Sequence, residues 1–158
     1  MKEQYVNSFL APAKLVWDKE LKQSLDFAKA ELVSHQFTTE DITTIIGISG
    51  KLEGNVLYGL GVDTAKRIIT IMLGEEVKTW NDDLGLSALG ELANIITGNA
   101  ATRLSQLGYP CQISPPVMIE PAGSRFTTNQ GPQILVHFTS KVGDLRVRIS
   151  LKEAQRKD

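Results

Sequence analysis

Residues 84–107, LGLSALGELANIITGNAATRLSQL, constrain this chain more than any other stretch. On a helical wheel of about 100° per residue, Leu89, Ala93, Ile96, Ala100, Leu104 and Leu107 fall on one side, the apolar stripe that a core-facing helix needs. Ser87, Glu91, Asn94, Gly98, Thr102 and Ser105 recur at steps of three or four and form a second, narrow stripe with no long apolar side chain. The pattern predicts a long helix whose polar ridge something can approach closely. Glu91 and Asn94 stand at i and i+3, roughly 5–6 Å apart at Cβ, close enough to address one small target together.

The chemistry open to that pair is limited. A carboxamide does not titrate in the useful range, so Asn94 is neither a general base nor a nucleophile, but it can hold a water through hydrogen bonds. Phosphoryl transfer is a reaction class in which positioning alone goes far, because its loose transition state asks little covalent help of the protein. By spacing alone the stripe reads first as the solvated outer face of a buried helix, as polar outer faces are the norm.

The filling of the stretch carries a more specific signal. The run Ser87-x-x-x-Glu91-x-x-Asn94-x-x-x-Gly98, set in GELANIITGNAATRL, resembles the signature helix of the CheC/CheX/FliY family of bacterial chemotaxis phosphatases. ITTIIGISGKLEGNVLYGLG before it and three strand-like runs after it are also similar, so the resemblance covers about residues 42–151. A single such helix, rather than two, is the CheX pattern. One position departs: the first residue of the motif is often acidic in the family, and here it is Ser87.

The resemblance implies a phosphatase acting on the aspartyl phosphate of a CheY-like response regulator. Asn94 would orient a water in line with phosphorus, and Glu91 would pair with the regulator's lysine. Ser87, Gly98 and Thr102 would line the docking surface, with Gly98 allowing close approach. The chain needs no cofactor of its own, as the Mg2+ that neutralises charge belongs to the regulator. The alternative is a non-catalytic binding module that docks a regulator, or a flagellar-switch or signalling component, on the same helix.

Composition agrees with one ordinary globular domain. The 158 residues suffice for a real core, and 42% hydrophobic with 22% charged residues is unremarkable. A net charge of −1 offers no electrostatic case for nucleic acid or membrane partners. The basic pair Arg156-Lys157 reads as a solvated tail. One cysteine excludes an internal disulfide, and two distant histidines, His35 and His137, show no metal-ligand spacing. Cys111 reads as a small core residue. With no signal-peptide order and no membrane-length apolar run, the expected location is the cytoplasm.

Along the chain, residues 5–27 carry an amphipathic helical pattern that kinks at Pro12 or properly begins near it. Residues 28–41 lose periodicity and read as a connection, with a possible strand at 32–37. Runs 42–49 and 55–61 predict a β-hairpin. Its glycines lack the frame of a phosphate-binding loop, so they are assigned to turns and close packing. Asp63 is the expected N-cap of a helix at 64–73 ended by Gly74, and residues 81–83 the cap of the signature helix. Residues 111–120, broken by Pro115-Pro116, predict an edge or bulged strand; 122–131 an exposed loop; 134–140 and 145–151 two further strands.

The predicted class is α+β: an antiparallel sheet covered on one face by helices, with the signature helix turned outward. The regular alternation of residues 145–151 further suggests an exposed edge that continues into a second copy, giving a homodimer. CheX-like proteins pair in this way, although Arg146 and Arg148 would equally discourage edge pairing.

Overall fold

The structure, a computed structural model, describes residues 1–34, 36–38, 41–119, 125–127 and 133–155. In chain order the elements are α1 (Glu3–Leu21), β1 (Asp26–Val33), β2 (Gln36–Thr38), β3 (Ile42–Gly50), β4 (Leu52–Leu60), α2 (Val62–Leu73), α3 (Asp83–Gln106), β5 (Cys111–Ile113), β6 (Val117–Ile119), β7 (Arg125–Thr127), β8 (Gln133–Thr139) and β9 (Leu145–Glu153). The strands form an antiparallel sheet in the order β1-β8-β9-β4-β3-β5, with β6 also pairing β3, and β2 and β7 make a separate pair.

Alternation along the strands sends one set of side chains to the helices. Ile42, Ile46 and Ile48 of β3, Val56, Tyr58 and Leu60 of β4, and Leu145, Val147, Ile149 and Leu151 of β9 share one core with the buried faces of α1, α2 and α3. The helices contribute Phe9, Trp17, Ile68, Ile69, Ile96 and Leu104 to it, so the expected sheet with helices packed on one face is what forms. Leu57 and Leu135, which alternation turns to the other face, are buried too. Gly54 shows the close-packing role expected of the hairpin glycines: at φ 151° a Cβ there would meet the Ser150 carbonyl oxygen at 1.8 Å.

Several boundaries differ from expectation. α1 starts at Glu3, runs through the buried Pro12 and stops at Leu21, where Lys22 takes a left-handed conformation and its N–H bonds the Asp18 carbonyl at 2.9 Å. The stretch read as a connection contains β1, which pairs with β8 from Asp26 to Val33. It was illegible because its residues are exposed on both faces, which removes the burial alternation that marks a strand. The possible strand at 32–37 is divided between β1 and β2. α2 begins two residues earlier than expected, with Gly61 as N-cap and Asp63 inside the first turn, and Gly74 ends it as foreseen. Of the loop at 122–131, only the part of β7 lies within the described residues, and His35 and Arg156-Lys157 also lie outside them.

One correction concerns assembly. β9 is an interior strand, hydrogen-bonded to β4 on one side and β8 on the other, so it offers no edge to a second copy. Its unbroken alternation records burial on the helix side, and its length follows from having a neighbour on each flank. Arg146 and Arg148 stand on the other face rather than guarding an edge.

Candidate functional site

α3 is 24 residues long and is fixed at three levels. Asp82 caps it, its carboxylate accepting the Gly85 N–H at 2.8 Å, which satisfies one of the free donors of the first turn and places negative charge at the positive end of the dipole. The preceding loop lies so close that a Cβ on Gly85 would meet the Trp80 carbonyl oxygen at 2.3 Å. In the middle, the fully buried Thr97 donates to the Ala93 carbonyl at 2.7 Å, which leaves its oxygen to accept from the Tyr58 hydroxyl of β4, also at 2.7 Å. Burial pushes the Tyr58 hydroxyl well above its ordinary pKa, so it keeps its proton for that bond. Leu89, Ala93, Ile96, Ala100 and Leu104 are buried as the wheel predicts. Leu107 is the exception: it caps the helix and is 49% exposed, because the chain has already left the core there.

The opposite face carries the polar ridge. Ser87 and Glu91 are exposed, and Asn94 and Gly98 are half-buried. Beside them a depression of about 380 Å³ is lined by Asp83, Leu86, Ser87, Gly90, Glu91, Asn94, Pro116 and Met118. Neither the Glu91 carboxylate nor the Asn94 amide has a hydrogen bond or ion pair among the described residues. Among the described residues, the hydrogen-bonding capacity of both is unused. A Cβ at Gly98 would project into open space, so packing within the chain does not require a glycine there, although glycine weakens a helix interior by about 0.5–1 kcal/mol relative to alanine.

Ser87, Glu91 and Asn94 thus come together at one depression, with Gly98 the next residue along the ridge. Thr102 is set apart: its hydroxyl donates to the Gly98 carbonyl at 3.1 Å, and its side chain lines a different groove, between α1 and α3. The far wall of the depression went unread in the sequence. Pro116 lies over Gly90, where an added Cβ would sit 3.3 Å from the ring, and Met118 is held by the Thr44 hydroxyl donating to its sulfur at 3.0 Å. Pro115-Pro116 could be read only as a break in a strand ladder, because the pairing of β6 with β3 that brings it to α3 is non-local.

No group of three or more His, Cys, Asp or Glu residues suited to a metal ion occurs among the described residues. Cys111 is half-buried against the core, and burial raises its thiol pKa. No described helix is long and apolar enough to cross a membrane.

Comparison with known proteins gives this geometry its context. The chain is 36% identical over 91 residues to the CheY-P phosphatase CheX of Thermotoga maritima, a match that covers 58% of this chain and 59% of that protein's length. Its fold resembles a CheC-like superfamily protein from Shewanella sp. PV-4, with a TM-score of 0.85 and 24% identity over 96% of this chain and 99% of that one. It also resembles the CheX–CheY–BeF3–Mg2+ complex from Borrelia burgdorferi, with a TM-score of 0.74 and 24% identity, covering 94% of this chain and 98% of that one. Residues 42–139, well over half the chain and including the whole of α3, match the family described as chemotaxis phosphatase CheX, and the chain belongs to that family.

Proposed function

We propose that this chain is a phosphatase for the aspartyl phosphate of a CheY-like response regulator. The observation that carries the reading is the Glu91–Asn94 pair, one turn apart on a pinned helix, beside a depression and without side-chain partners among the described residues. The relative from Thermotoga maritima is named a CheY-P phosphatase, and the structure from Borrelia burgdorferi is a CheX bound to CheY with BeF3 and Mg2+. Both supports agree with the chemistry of the pair.

In the proposed complex the Asn94 carboxamide reaches the phosphoryl group and orients one water in line with phosphorus. An acyl phosphate is already activated and the regulator's Mg2+ neutralises the developing charge, so a fixed water is the missing part. Glu91 pairs with a regulator lysine, which sets the depth and register of the helix in the site. Ser87 lines the depression, and the missing side chain at Gly98 lets the partner's backbone come close. The reaction is placed in the cytoplasm, where such regulators work.

We further propose a homodimer built on β1. Among the described residues that strand ends the sheet, seven of its eight residues are exposed, and Leu32 is 70% and Phe27 44% exposed. Unpaired backbone groups beside exposed apolar side chains invite a second strand. The opposite edge is blunted, because β5 and β6 are three-residue strands separated by Pro115-Pro116. α3 stays open in each copy.

The experiment for the activity is phosphate release from a phosphorylated CheY-like regulator of the same organism, with this chain at a tenth of the regulator's concentration. Acceleration with many turnovers per chain supports a phosphatase. Tight binding without acceleration would show the non-catalytic docking module instead.

A further inference from the structure

The ridge of α3 has a second recess, on its other flank. A groove of about 530 Å³ runs between α1 and the C-terminal half of α3, lined by Leu15, Lys19, Ile95, Thr102 and Arg103 among others. Leu15 is 63% exposed, although its neighbours Pro12 and Val16 on α1 are buried. Lys19 and Arg103 are in no ion pair with a described residue.

The two recesses form a continuous face. Successive residues turn by about 100°, so Glu91, Gly98 and Thr102 form the crest, with the Asn94 depression falling away towards β6 and the groove towards α1. Gly98 lies between them and adds no side chain to the crest. Charge changes along it: the first recess carries Asp83 and Glu91 and no cation, the second carries Lys19 and Arg103 against one carboxylate, Glu20, with Glu91 and Arg103 roughly 18 Å apart at 1.5 Å per residue.

The first recess alone is too small for its proposed task. A specific protein complex buries on the order of 800 Å² per partner, and a water-positioning amide works only when held to within about 0.5 Å. Two polar side chains do not supply that. We propose that the α1–α3 groove is the second half of the regulator's docking surface: it takes an apolar side chain beside an acidic group of the same regulator whose phosphoryl site meets Asn94. This rests on the reading of Glu91 and Asn94 given above. Binding strength comes from the groove and chemistry from the depression, so Thr102, set apart from Asn94, rejoins the interface at the groove.

The test uses the full chain and a CheY-like regulator activated with beryllofluoride and Mg2+ for binding, or phosphorylated for turnover. Leu15→Asp raises Kd and KM about tenfold or more and leaves kcat within about twofold, Arg103→Glu acts in the same direction, and Leu15→Met restores affinity. Asn94→Ala does the reverse, lowering kcat with little change in Kd. Because Leu15 and Arg103 are exposed, their variants fold, and circular dichroism checks that they do. If both groove variants bind like wild type while Asn94→Ala is inactive, the groove is outside the interface and the phosphatase reading stands. If the wild-type chain neither binds nor dephosphorylates any regulator, both readings fall. A Leu15→Asp protein with altered mass in solution and unaltered affinity assigns the groove to a second copy and overturns the proposal.

Discussion

Glu91 and Asn94 differ in what they can contribute, and single substitutions separate them. Glu91→Gln keeps the shape and removes the charge; truncating one partner of an interfacial charge pair costs about 2–5 kcal/mol, so regulator binding weakens by a large factor and loses much of its salt dependence. Titration calorimetry at two ionic strengths reads both effects. Gly98→Ala is expected to go in two directions at once: the helix gains about 0.5–1 kcal/mol of stability in urea unfolding, because the new methyl meets nothing in the chain, while docking weakens. A glycine whose replacement helps folding and harms binding is there for the partner. The pair was legible in the sequence because both residues lie on one helix, where spacing alone sets the geometry. Pro116 and Met118 were not, since only the pairing of β6 with β3 carries them to α3.

At the scale of elements, α3 is held to the sheet by a buried polar link as well as by its apolar stripe. Tyr58→Phe removes the donor to Thr97 and is expected to cost about 1 kcal/mol at neutral pH. The same hydroxyl gives the fold a pH limit. Its folded pKa is raised above the ordinary 10.0, so the folded state binds the proton more tightly than the unfolded chain does. Stability from this group is complete below pH 10 and is lost as pH rises from there through the folded value. Urea unfolding at about pH 9 and 11 should show a smaller alkaline loss for Tyr58→Phe than for wild type. α3 differs from expectation by one residue at each end because its periodicity is local, whereas α1, expected to reach residue 27, stops at Leu21. β1 was missed because an edge strand exposed on both faces writes no alternation into the sequence.

For the whole molecule, the sheet order decides which surfaces remain for assembly. The sequence showed a regular final strand but not its neighbours, and placing β9 between β4 and β8 moves the available edge to β1. Light scattering across a micromolar range should give twice the 17.3 kDa chain mass, and Leu32→Asp should halve it without unfolding, since that side chain is 70% exposed. A monomer at every concentration would remove the β1 dimer. Phosphatase activity per chain should survive that dissociation, because each α3 carries a complete ridge. The most direct test of the central claim compares regulator dephosphorylation by wild type and Asn94→Ala at saturating, equal occupancy. Asn94→Ala is predicted to bind the activated regulator as tightly as wild type and to lose about 10²–10³-fold of the acceleration, or all of it where the acceleration is smaller. Full acceleration by a folded Asn94→Ala protein would contradict it.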